Sequence, residues 1–372
     1  MKYFSLLIKP ASSLCNMRCR YCFYHDISSM REIPSYGIMT DINMRKIIDN
    51  VFESMEDGDF LSVAFQGGEP TLAGLSYFEK FTGYIEEKNR DIAIRYSIQT
   101  NGCAIDDDWA KFFRKYNFLV GLSLDCIEEI HNLYRLDSKG KGTYERVSSG
   151  RKFLEKYGID YNIVSVLTEN MAEYPERVFE FLEKEDIKWI QFIPCLPPAE
   201  EKSEDMEDSS ENYSLSAESF SDFYSKILKI WHEHLKKGKY IHIQFIDAVI
   251  QMVQSRRASI CGIDGNCRMQ FVVESNGDVY PCDFYALDIY RAGNLAEERY
   301  SDIENRAYQN IFFRDDYIPT LCRRCNFFPF CRGGCRRIRD AVYISEDGKF
   351  CGYREFLQKN SELIADISRK LM

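Results

Sequence analysis

The sequence has no apolar run of the roughly 18 residues that a membrane-spanning helix needs. Residues 1–10 are briefly apolar but show no signal-peptide architecture. Positive charge is also scarce, because 48 Lys and Arg face 58 Asp and Glu and give a net charge of −10. Binding to phosphates needs a concentrated Lys and Arg surface. We therefore expect no membrane segment, no nucleic-acid partner and a cytoplasmic location.

The chain of 372 residues is long enough for one large domain and a smaller module, because single cores stop growing at roughly 250–300 residues. Short β-branched or aromatic runs alternate with longer amphipathic stretches, which predicts repeated strand–helix units with a parallel sheet. We predict six strands, at Phe4–Lys9, Ser62–Gln66, Ile94–Thr100, Phe118–Asp125, Tyr161–Leu167 and Trp189–Leu196. Helices are predicted at Asp41–Met55, Leu75–Asn89, Asp107–Tyr116, Thr143–Tyr157, Ala172–Lys184, Ser216–Lys237 and Phe245–Arg257.

Polar and glycine residues fall at the carboxyl ends of three predicted strands, at residues 66–70, 99–102 and 123–125. In (β/α) barrels that face builds the active site. Six strands favour a partial (β/α)6 barrel over a closed one, with an open doubly wound sheet as the alternative. We predict the barrel over residues 1–235, with an acidic loop at about 197–215, and a cysteine-rich domain with a C-terminal helix over 236–372. Asn276-Gly277 predicts a hairpin with a type I′ turn.

Fourteen cysteines in a long chain indicate metal or redox chemistry rather than a disulfide scaffold. Three of them, Cys15, Cys19 and Cys22, directly follow the first predicted strand. Three thiolates hold three irons of a [4Fe–4S] cluster, one fewer than the usual four ligands, and leave one iron open. A zinc site is the alternative, but it usually needs paired cysteines or histidines, and His25 alone does not supply them.

The spacing of these cysteines resembles that of radical S-adenosylmethionine (SAM) enzymes, in which the methionine part of the cofactor chelates the open iron. The Gly67-Gly68-Glu69-Pro70 run resembles the family's glycine motif, which implies contact with the methionine amino group. The resemblance also implies that Tyr21 lies against the adenine, and that Ser123 and Asp125 contact the ribose or the substrate.

Eight more cysteines near the C-terminus suffice for two further [4Fe–4S] clusters. Their pattern resembles the SPASM extension, so three clusters are implied in all. The resemblance implies that auxiliary cluster I is bound by Cys261, Cys267, Cys282 and Cys335, and auxiliary cluster II by Cys322, Cys325, Cys331 and Cys351. Zinc remains an alternative for the four cysteines between 322 and 335. We interpret Cys103, Cys126 and Cys195 as buried thiols that act as small hydrophobes.

Nearly the whole chain resembles the anaerobic sulfatase-maturating enzymes, from residues 6–13 through 64–70 to 280–285. That resemblance implies a 5′-deoxyadenosyl radical that takes hydrogen from Cβ of a sulfatase cysteine or serine, giving Cα-formylglycine. The substrate motif would be Cys/Ser-x-Pro/Ala-x-Arg, and the electron donor a flavodoxin or ferredoxin. Asp283 is the predicted proton acceptor, with a capping aspartate as the alternative. The resemblance implies that Tyr24 and Gln66 contact the peptide, with a buried hydrogen-bonded role as the alternative.

Residues 125–127 depart from the family pattern, because Asp125 is followed by Cys-Ile where Gly-Pro is common. One alternative function is a SPASM enzyme that forms a thioether or carbon–carbon crosslink in a ribosomal peptide. Such enzymes often carry an additional recognition domain, for which a first strand at about residue 4 leaves no room upstream. A non-enzymatic electron carrier or zinc scaffold would not need the three-cysteine site followed by the glycine motif.

Overall fold

The computed structural model describes residues 1–88, 90–198, 213–314 and 317–371. Residues 199–212 of the predicted acidic loop lie outside the described residues. Among the helices in these ranges, none combines the length and the apolar character that crossing a bilayer would require.

All six predicted strands are present, with ends that shift by at most two residues, and four short strands follow them. In chain order the strands are β1 Tyr3–Ile8, β2 Phe60–Phe65, β3 Ala93–Thr100, β4 Leu119–Ser123, β5 Tyr161–Leu167, β6 Trp189–Pro194, β7 His242–Ile243, β8 Val272–Val273, β9 Asp278–Tyr280 and β10 Gly293–Asn294.

Sixteen α-helical segments are described, many of them short. They are α1 Phe23–Ser29, α2 Asp41–Phe52, α3 Leu75–Lys88, α4 Asp107–Lys115, α5 Glu128–Tyr134, α6 Tyr144–Lys156, α7 Glu169–Ala172, α8 Pro175–Lys184, α9 Ala217–Lys236, α10 Gln244–Ser255, α11 Tyr300–Ala307, α12 Ile311–Arg314, α13 Thr320–Arg323, α14 Phe328–Cys331, α15 Arg336–Ile338 and α16 Gly352–Lys370. Three-residue or four-residue 3₁₀ turns occur at Pro70–Ala73, Asp283–Tyr285 and Asp288–Tyr290, and Arg339–Tyr343 forms a π-turn.

The structure corrects two local predictions. The helix predicted at Ala172–Lys184 begins instead at Pro175, as α8, and Ala172 is the last residue of α7, because the residue before a proline avoids the helical conformation. The hairpin at β8–β9 is present, but only Gly277 of the predicted pair has positive φ, at 94°. Its N–H donates to the Glu274 carbonyl, and Glu274 N–H donates to the Asp278 carbonyl. The turn is therefore a three-residue loop closed by glycine and not a type I′ turn.

The chain folds into two compact units, each made of separate stretches of sequence. The first unit comprises Met1–Ser123, Arg135–Tyr161 and Arg268–Asp316, and the second comprises Leu124–Tyr134, Asn162–Cys267 and Tyr317–Met372. In the first unit the strand order is β10-β9-β8-β1-β2-β3-β4, and in the second it is β5-β6-β7. The domain boundary predicted at residue 235 stays a prediction.

The register of the first unit gathers the carboxyl ends of its strands at one edge. Ile8 of β1 pairs with Phe65 of β2, and Phe65 pairs with Ile98 of β3, all in parallel. These three side chains are buried to 1% exposure or less, as expected for a parallel sheet with apolar strands. The residues that follow them, Lys9 and Gln66 among others, therefore emerge side by side, and they begin the site described next.

Candidate active site

The loop that carries the three N-terminal cysteines runs from the end of β1 to the start of α1. Cys22 is the N-cap residue of α1, and its N–H donates to the Cys19 carbonyl at 3.2 Å. The Met17 N–H approaches the Cys15 sulfur at 3.4 Å. Burial raises the pKa of the Cys15 thiol to about 11 and also raises that of Cys22. A thiolate here therefore needs a positive partner such as a metal, which lowers a thiol pKa.

The glycine motif after β2 packs directly against the backbone of this cysteine loop. Gly68 N–H donates to the Ser12 carbonyl at 2.9 Å, and Glu69 N–H donates to the Leu14 carbonyl at 2.8 Å. A Cβ atom on Gly68 would lie 2.1 Å from the Leu14 oxygen, and Gly67 has φ of +121°. Only glycines permit this approach, so the two motifs of the sequence form one structural element.

Glu69 is a buried carboxylate that ties the glycine motif to the end of β3. Its Oε1 accepts hydrogen bonds from Thr71 and from the Thr100 hydroxyl at 2.7 Å, and its Oε2 accepts from Asn101 N–H at 2.8 Å. Burial raises the Glu69 pKa, and these hydrogen bonds oppose the shift. The Asn101 amide then donates to Asn16 Oδ1 at 2.7 Å, back on the cysteine loop. We did not predict Asn16, although its position between two cysteines was a signal.

The three remaining predicted cofactor contacts have different surroundings. Tyr21 lies under the Arg135 guanidinium, 5.4 Å from its ring centre, within the first unit. Ser123 accepts a hydrogen bond from Gln99 at 2.9 Å. Asp125, in the second unit, is only 1% exposed, and its Oδ1 accepts the Val166 N–H of β5 at 2.8 Å. Roles for these residues in cofactor binding stay predictions.

The predicted proton acceptor and the two predicted peptide contacts meet in one cluster. The Tyr24 hydroxyl donates a short hydrogen bond to Asp283 Oδ2. The Gln66 amide donates to the Tyr24 oxygen at 2.6 Å and to Asp283 Oδ2 at 3.2 Å. Gln270 accepts the Asp283 N–H at 3.2 Å and fixes the backbone. Burial, followed by the charge of Asp283, raises the pKa of Tyr24 well above its usual value, so its hydroxyl remains a donor.

Lys9, which sequence reasoning missed, supplies the positive charge of this cluster. Its Nζ lies 3.1 Å from Asp283 Oδ1 and 3.6 Å from Glu274 Oε1. Burial alone would lower the Lys9 pKa, but Asp283 and Glu274 outweigh it and the pKa is raised. Asp283 Oδ1 itself is buried and receives no well-aligned hydrogen bond from the described residues. In the sequence, Lys9 could have been recognised as a candidate site residue because it is a charged residue at the end of an otherwise apolar strand.

Glu274 completes a buried set of alternating charges behind Asp283. Arg31 lies 2.7 Å from Glu274 Oε1, and the Ser12 hydroxyl donates to Oε2 at 2.8 Å. Burial opposes ionisation of Glu274, but Lys9 and Arg31 prevail and lower its pKa. Two carboxylates thus face two cations with little access to water. Such a network holds its members in fixed positions because an unpaired charge there would be costly.

A second group of thiols surrounds a pocket of the second unit. Cys322, Cys325, Cys331 and Cys351 line an empty volume of about 370 Å³, part of which is open to solvent. The lining also includes three aromatic rings and two guanidinium groups, namely those of Phe328, Tyr343, Tyr353, Arg339 and Arg354. Burial raises the pKa of Cys322 to about 11 and that of Cys331 to about 12. The structure therefore brings together the four cysteines that the resemblance assigned to auxiliary cluster II.

Three of the four cysteines assigned to auxiliary cluster I, namely Cys261, Cys267 and Cys335, belong to the second unit. A Cβ atom on Gly262 would lie 2.6 Å from Cys335 Cβ, so the backbone next to Cys261 packs on Cys335. Burial raises the pKa of Cys267, and the next largest influences on it are the positive charge of Arg336 and the thiol of Cys335. Cys282 belongs to the first unit, directly before Asp283.

In the described ranges, no three His, Cys, Asp or Glu side chains converge closely enough to bind one metal ion. Of the three remaining cysteines, Cys126 and Cys195 are buried as predicted, and Cys103 is only half-buried.

Two family models match this chain: the radical SAM superfamily over residues 10–182, and an iron–sulfur cluster-binding domain, SPASM, over residues 261–326. The cysteine-type anaerobic sulfatase-maturating enzyme of Clostridium novyi is 38% identical over 100% of this chain and 99% of its own length. The serine-type anaerobic sulfatase-maturating enzyme of Bacteroides thetaiotaomicron is 29% identical over 99% of this chain and 92% of its own.

A solved structure, native anSMEcpe with bound AdoMet and Cp18Cys peptide, has a TM-score of 0.87 to this chain. The two are 37% identical, and the match covers 100% of both chains. These comparisons confirm the predicted fold class, an α/β partial (β/α)6 radical SAM barrel followed by a cysteine-rich SPASM domain.

Proposed function

Since the chain belongs to the family of anaerobic sulfatase-maturating enzymes, we propose that it oxidises a cysteine of a sulfatase polypeptide to Cα-formylglycine. It is accordingly a radical SAM oxidoreductase. The greater identity to a cysteine-type relative, 38% against 29% for a serine-type one, supports cysteine as the target. The buried cluster of Asp283, Tyr24, Gln66 and Lys9 is the observation that carries the mechanism.

The family's cofactors are three [4Fe–4S] clusters and S-adenosylmethionine. When bound, they supply a 5′-deoxyadenosyl radical that removes one hydrogen atom from the substrate Cβ, and an acceptor for one further electron. We propose that the first cluster is held by Cys15, Cys19 and Cys22, auxiliary cluster I by Cys261, Cys267, Cys282 and Cys335, and auxiliary cluster II by Cys322, Cys325, Cys331 and Cys351. The pocket that the last four surround supports their assignment.

The chain's own residues handle the proton. Loss of a Cβ hydrogen atom, a thiol proton and one electron converts CH₂–SH into CH=S, and water then replaces sulfur as H₂S to leave CH=O. Asp283 accepts the thiol proton. Its side chain keeps 11% of its surface exposed, and Lys9 lies against its buried Oδ1. Tyr24 and Gln66 donate hydrogen bonds to Oδ2, which orients the base before substrate arrives.

The family resemblance implies the remaining partners. The substrate is a sulfatase segment that contains Cys-x-Pro-x-Arg, and reduction of the first cluster needs a low-potential donor such as flavodoxin or ferredoxin. We expect the enzyme to work in the cytoplasm, where thiols and iron–sulfur clusters stay reduced.

The test is mass spectrometry of a synthetic Cys-x-Pro-x-Arg peptide after anaerobic incubation with the cluster-loaded protein, S-adenosylmethionine and dithionite. A loss of about 18 Da at the cysteine, as sulfur is exchanged for oxygen, marks formylglycine. We expect Asp283→Asn to lower its yield by about 100-fold or more while 5′-deoxyadenosine still forms, because removing a general base costs roughly 10²–10⁴ in rate.

Asp57→Asn is the matched control, because that carboxylate is 66% exposed and pairs with Arg90, outside the cluster. Wild-type yield in Asp283→Asn would remove Asp283 from the mechanism. 5′-Deoxyadenosine without the 18 Da loss in the wild type would instead favour a crosslinking enzyme.

A further inference from the structure

The loop with the three N-terminal cysteines is joined to a second exposed segment of the first unit. A β-bridge links Met17 to Asp137, and Arg18 N–H donates to the Leu136 carbonyl at 2.7 Å. Residues 136–142 form a small hairpin, closed by the bridge from Leu136 to Gly142. Side chains from the hairpin therefore lie beside those of the cysteine loop, although the two are more than a hundred residues apart in sequence.

The exposed charges on this joined surface are predominantly positive. The loop, the hairpin and the first turn of α6 contribute five exposed cations, which we call the basic surface: Arg18, Arg20, Lys139, Lys141 and Arg146. Two carboxylates, Asp137 and Glu145, lie among them. Asp137 Oδ1 accepts the N–H groups of Lys139 and Lys141, and its Oδ2 faces Arg146 at 3.9 Å. Five cations against two carboxylates stand out in a chain of net charge −10.

The basic surface is attached directly to the backbone that presents the cysteines. The Arg18 guanidinium donates to the carbonyls of Cys15 at 2.9 Å and Met17 at 2.8 Å. Leu14, on the same loop, is 40% exposed and adds an apolar contact. A protein that docked here would place its surface against the cysteine loop itself. Interfaces commonly combine a charged rim with a smaller apolar centre.

We propose that the basic surface docks an acidic protein that carries one electron, such as a flavodoxin. This inference rests on the proposed function, because that chemistry needs one electron for each S-adenosylmethionine cleaved. The carrier loses one electron and the cluster held by Cys15, Cys19 and Cys22 gains it. Charge complementarity accelerates the encounter of such partners and fixes their orientation, and salt weakens it. The sequence did not reveal the surface, because its charges come from separate segments.

The test uses a purified acidic flavodoxin, chemically reduced to its hydroquinone and freed of excess reductant for the activity assays, and the cluster-loaded protein. Lys139→Glu/Lys141→Glu reverses two charges without touching Arg18, which supports the cysteine loop. Lys237→Glu/Lys239→Glu is the matched control, since these are exposed lysines of the other compact unit. Calorimetry gives the affinity for flavodoxin at low and high ionic strength. Formylglycine yields with flavodoxin and with dithionite are then compared for each variant.

We expect the hairpin variant to bind flavodoxin about tenfold more weakly at low salt, with a smaller difference at high salt. The ratio of its formylglycine yield with flavodoxin to its yield with dithionite should also fall by about tenfold. Lys139→Gln/Lys141→Gln removes the two charges without reversing them, so the logarithm of its change in affinity should be about half as large. Equal flavodoxin affinities for the hairpin and control variants would overturn the proposal. It would also be overturned if flavodoxin affinity fell instead in Arg323→Glu/Arg324→Glu, near the pocket of the second unit. Absence of formylglycine from the wild type with dithionite would count against the proposed function, whereas the binding measurement judges the docking surface separately.

Discussion

Lys9 and Glu274 are buried ions whose positions depend on each other. Each is about 4% exposed or less at the side chain, and they lie 3.6 Å apart. Breaking a buried pair by removing one partner typically costs about 3–5 kcal/mol, because the other charge is left uncompensated. Arg31 on one side and Asp283 on the other extend the pairing. The stability of this part of the first unit is therefore linked to the position of the proposed base.

Glu274 gives this network a pH dependence that can be measured. Its pKa is lowered in the folded protein from 4.5, so its contribution to stability is present above that pH and is lost as pH falls through the lowered value. We expect Glu274→Gln to lower the free energy of unfolding at pH 7 by about 3 kcal/mol. Urea titrations of the cluster-free chain between pH 7 and 3 should show a flatter decline for the variant. The same slope in Glu274→Gln and in the exposed control Glu362→Gln would contradict this account.

The glycine motif acts as an element that shapes the cysteine loop beside it. Gly68 leaves room for the Leu14 carbonyl, and Glu69 then reaches Thr100 and Asn101 at the end of β3. Three loops at the carboxyl edge of the sheet are thus fixed by one four-residue run. The motif therefore shapes the cysteine loop through its own backbone contacts with Ser12 and Leu14.

Gly68→Ala tests this packing, because its Cβ would lie 2.1 Å from a backbone oxygen that has no flexible side chain to yield. We expect the variant to lose about 3 kcal/mol or more of stability, at the upper end of overpacking effects. Its first cluster should also fail to assemble, which iron analysis would report. Gly83→Ala, in α3 with open space around its Cβ, should instead be neutral or stabilise by roughly 0.5–1 kcal/mol. Equal melting temperatures for both variants would disprove the packing argument.

On the scale of the whole molecule, the chain builds its compact units from distant stretches of sequence. The second unit joins Leu124–Tyr134, Asn162–Cys267 and Tyr317–Met372. Its cysteine pocket combines Cys322, Cys325 and Cys331 with Cys351 at the start of α16. Assembly of the cluster proposed there would therefore link α16 to the preceding cysteine segment.

Cys351→Ser separates the metal role of this residue from its role as a helix cap. Cys351 Sγ accepts the Arg354 N–H at 3.4 Å, and serine is itself a good N-cap. The variant should keep its helix content but lose about four of roughly twelve irons per chain, since one cluster uses four cysteines. Iron analysis with circular dichroism checks both. Cys195→Ala, at a buried cysteine outside the pocket, is the control, and equal iron in the two variants would exclude auxiliary cluster II at this site.

Local patterns in the sequence were sufficient for the six strands, most helices and the recognition of the three-cysteine loop, whereas the division of the C-terminal cysteines between two clusters came from resemblance and stays a prediction. Strand and helix periodicity depends on neighbours a few residues away, and a three-cysteine loop needs no long-range partner to be recognised. Asp283, Tyr24 and Gln66 were also identified, but by resemblance rather than by any local pattern. Their mutual hydrogen bonds could not be read from residues that lie between 42 and 259 positions apart.

Tertiary structure alone decided which groups share a site. Lys9 gained its role because the β1–β2 register and the β8–β9 hairpin brought Gln66, Glu274 and Asp283 around the end of β1. The basic surface arose because one β-bridge joined two segments whose separate charges were unremarkable. The sequence determined elements and ligand types, since these follow from local propensity and side-chain chemistry. The pairing of charges and hydrogen bonds was decided by the fold, because a buried polar group takes its partner from whichever segments pack around it.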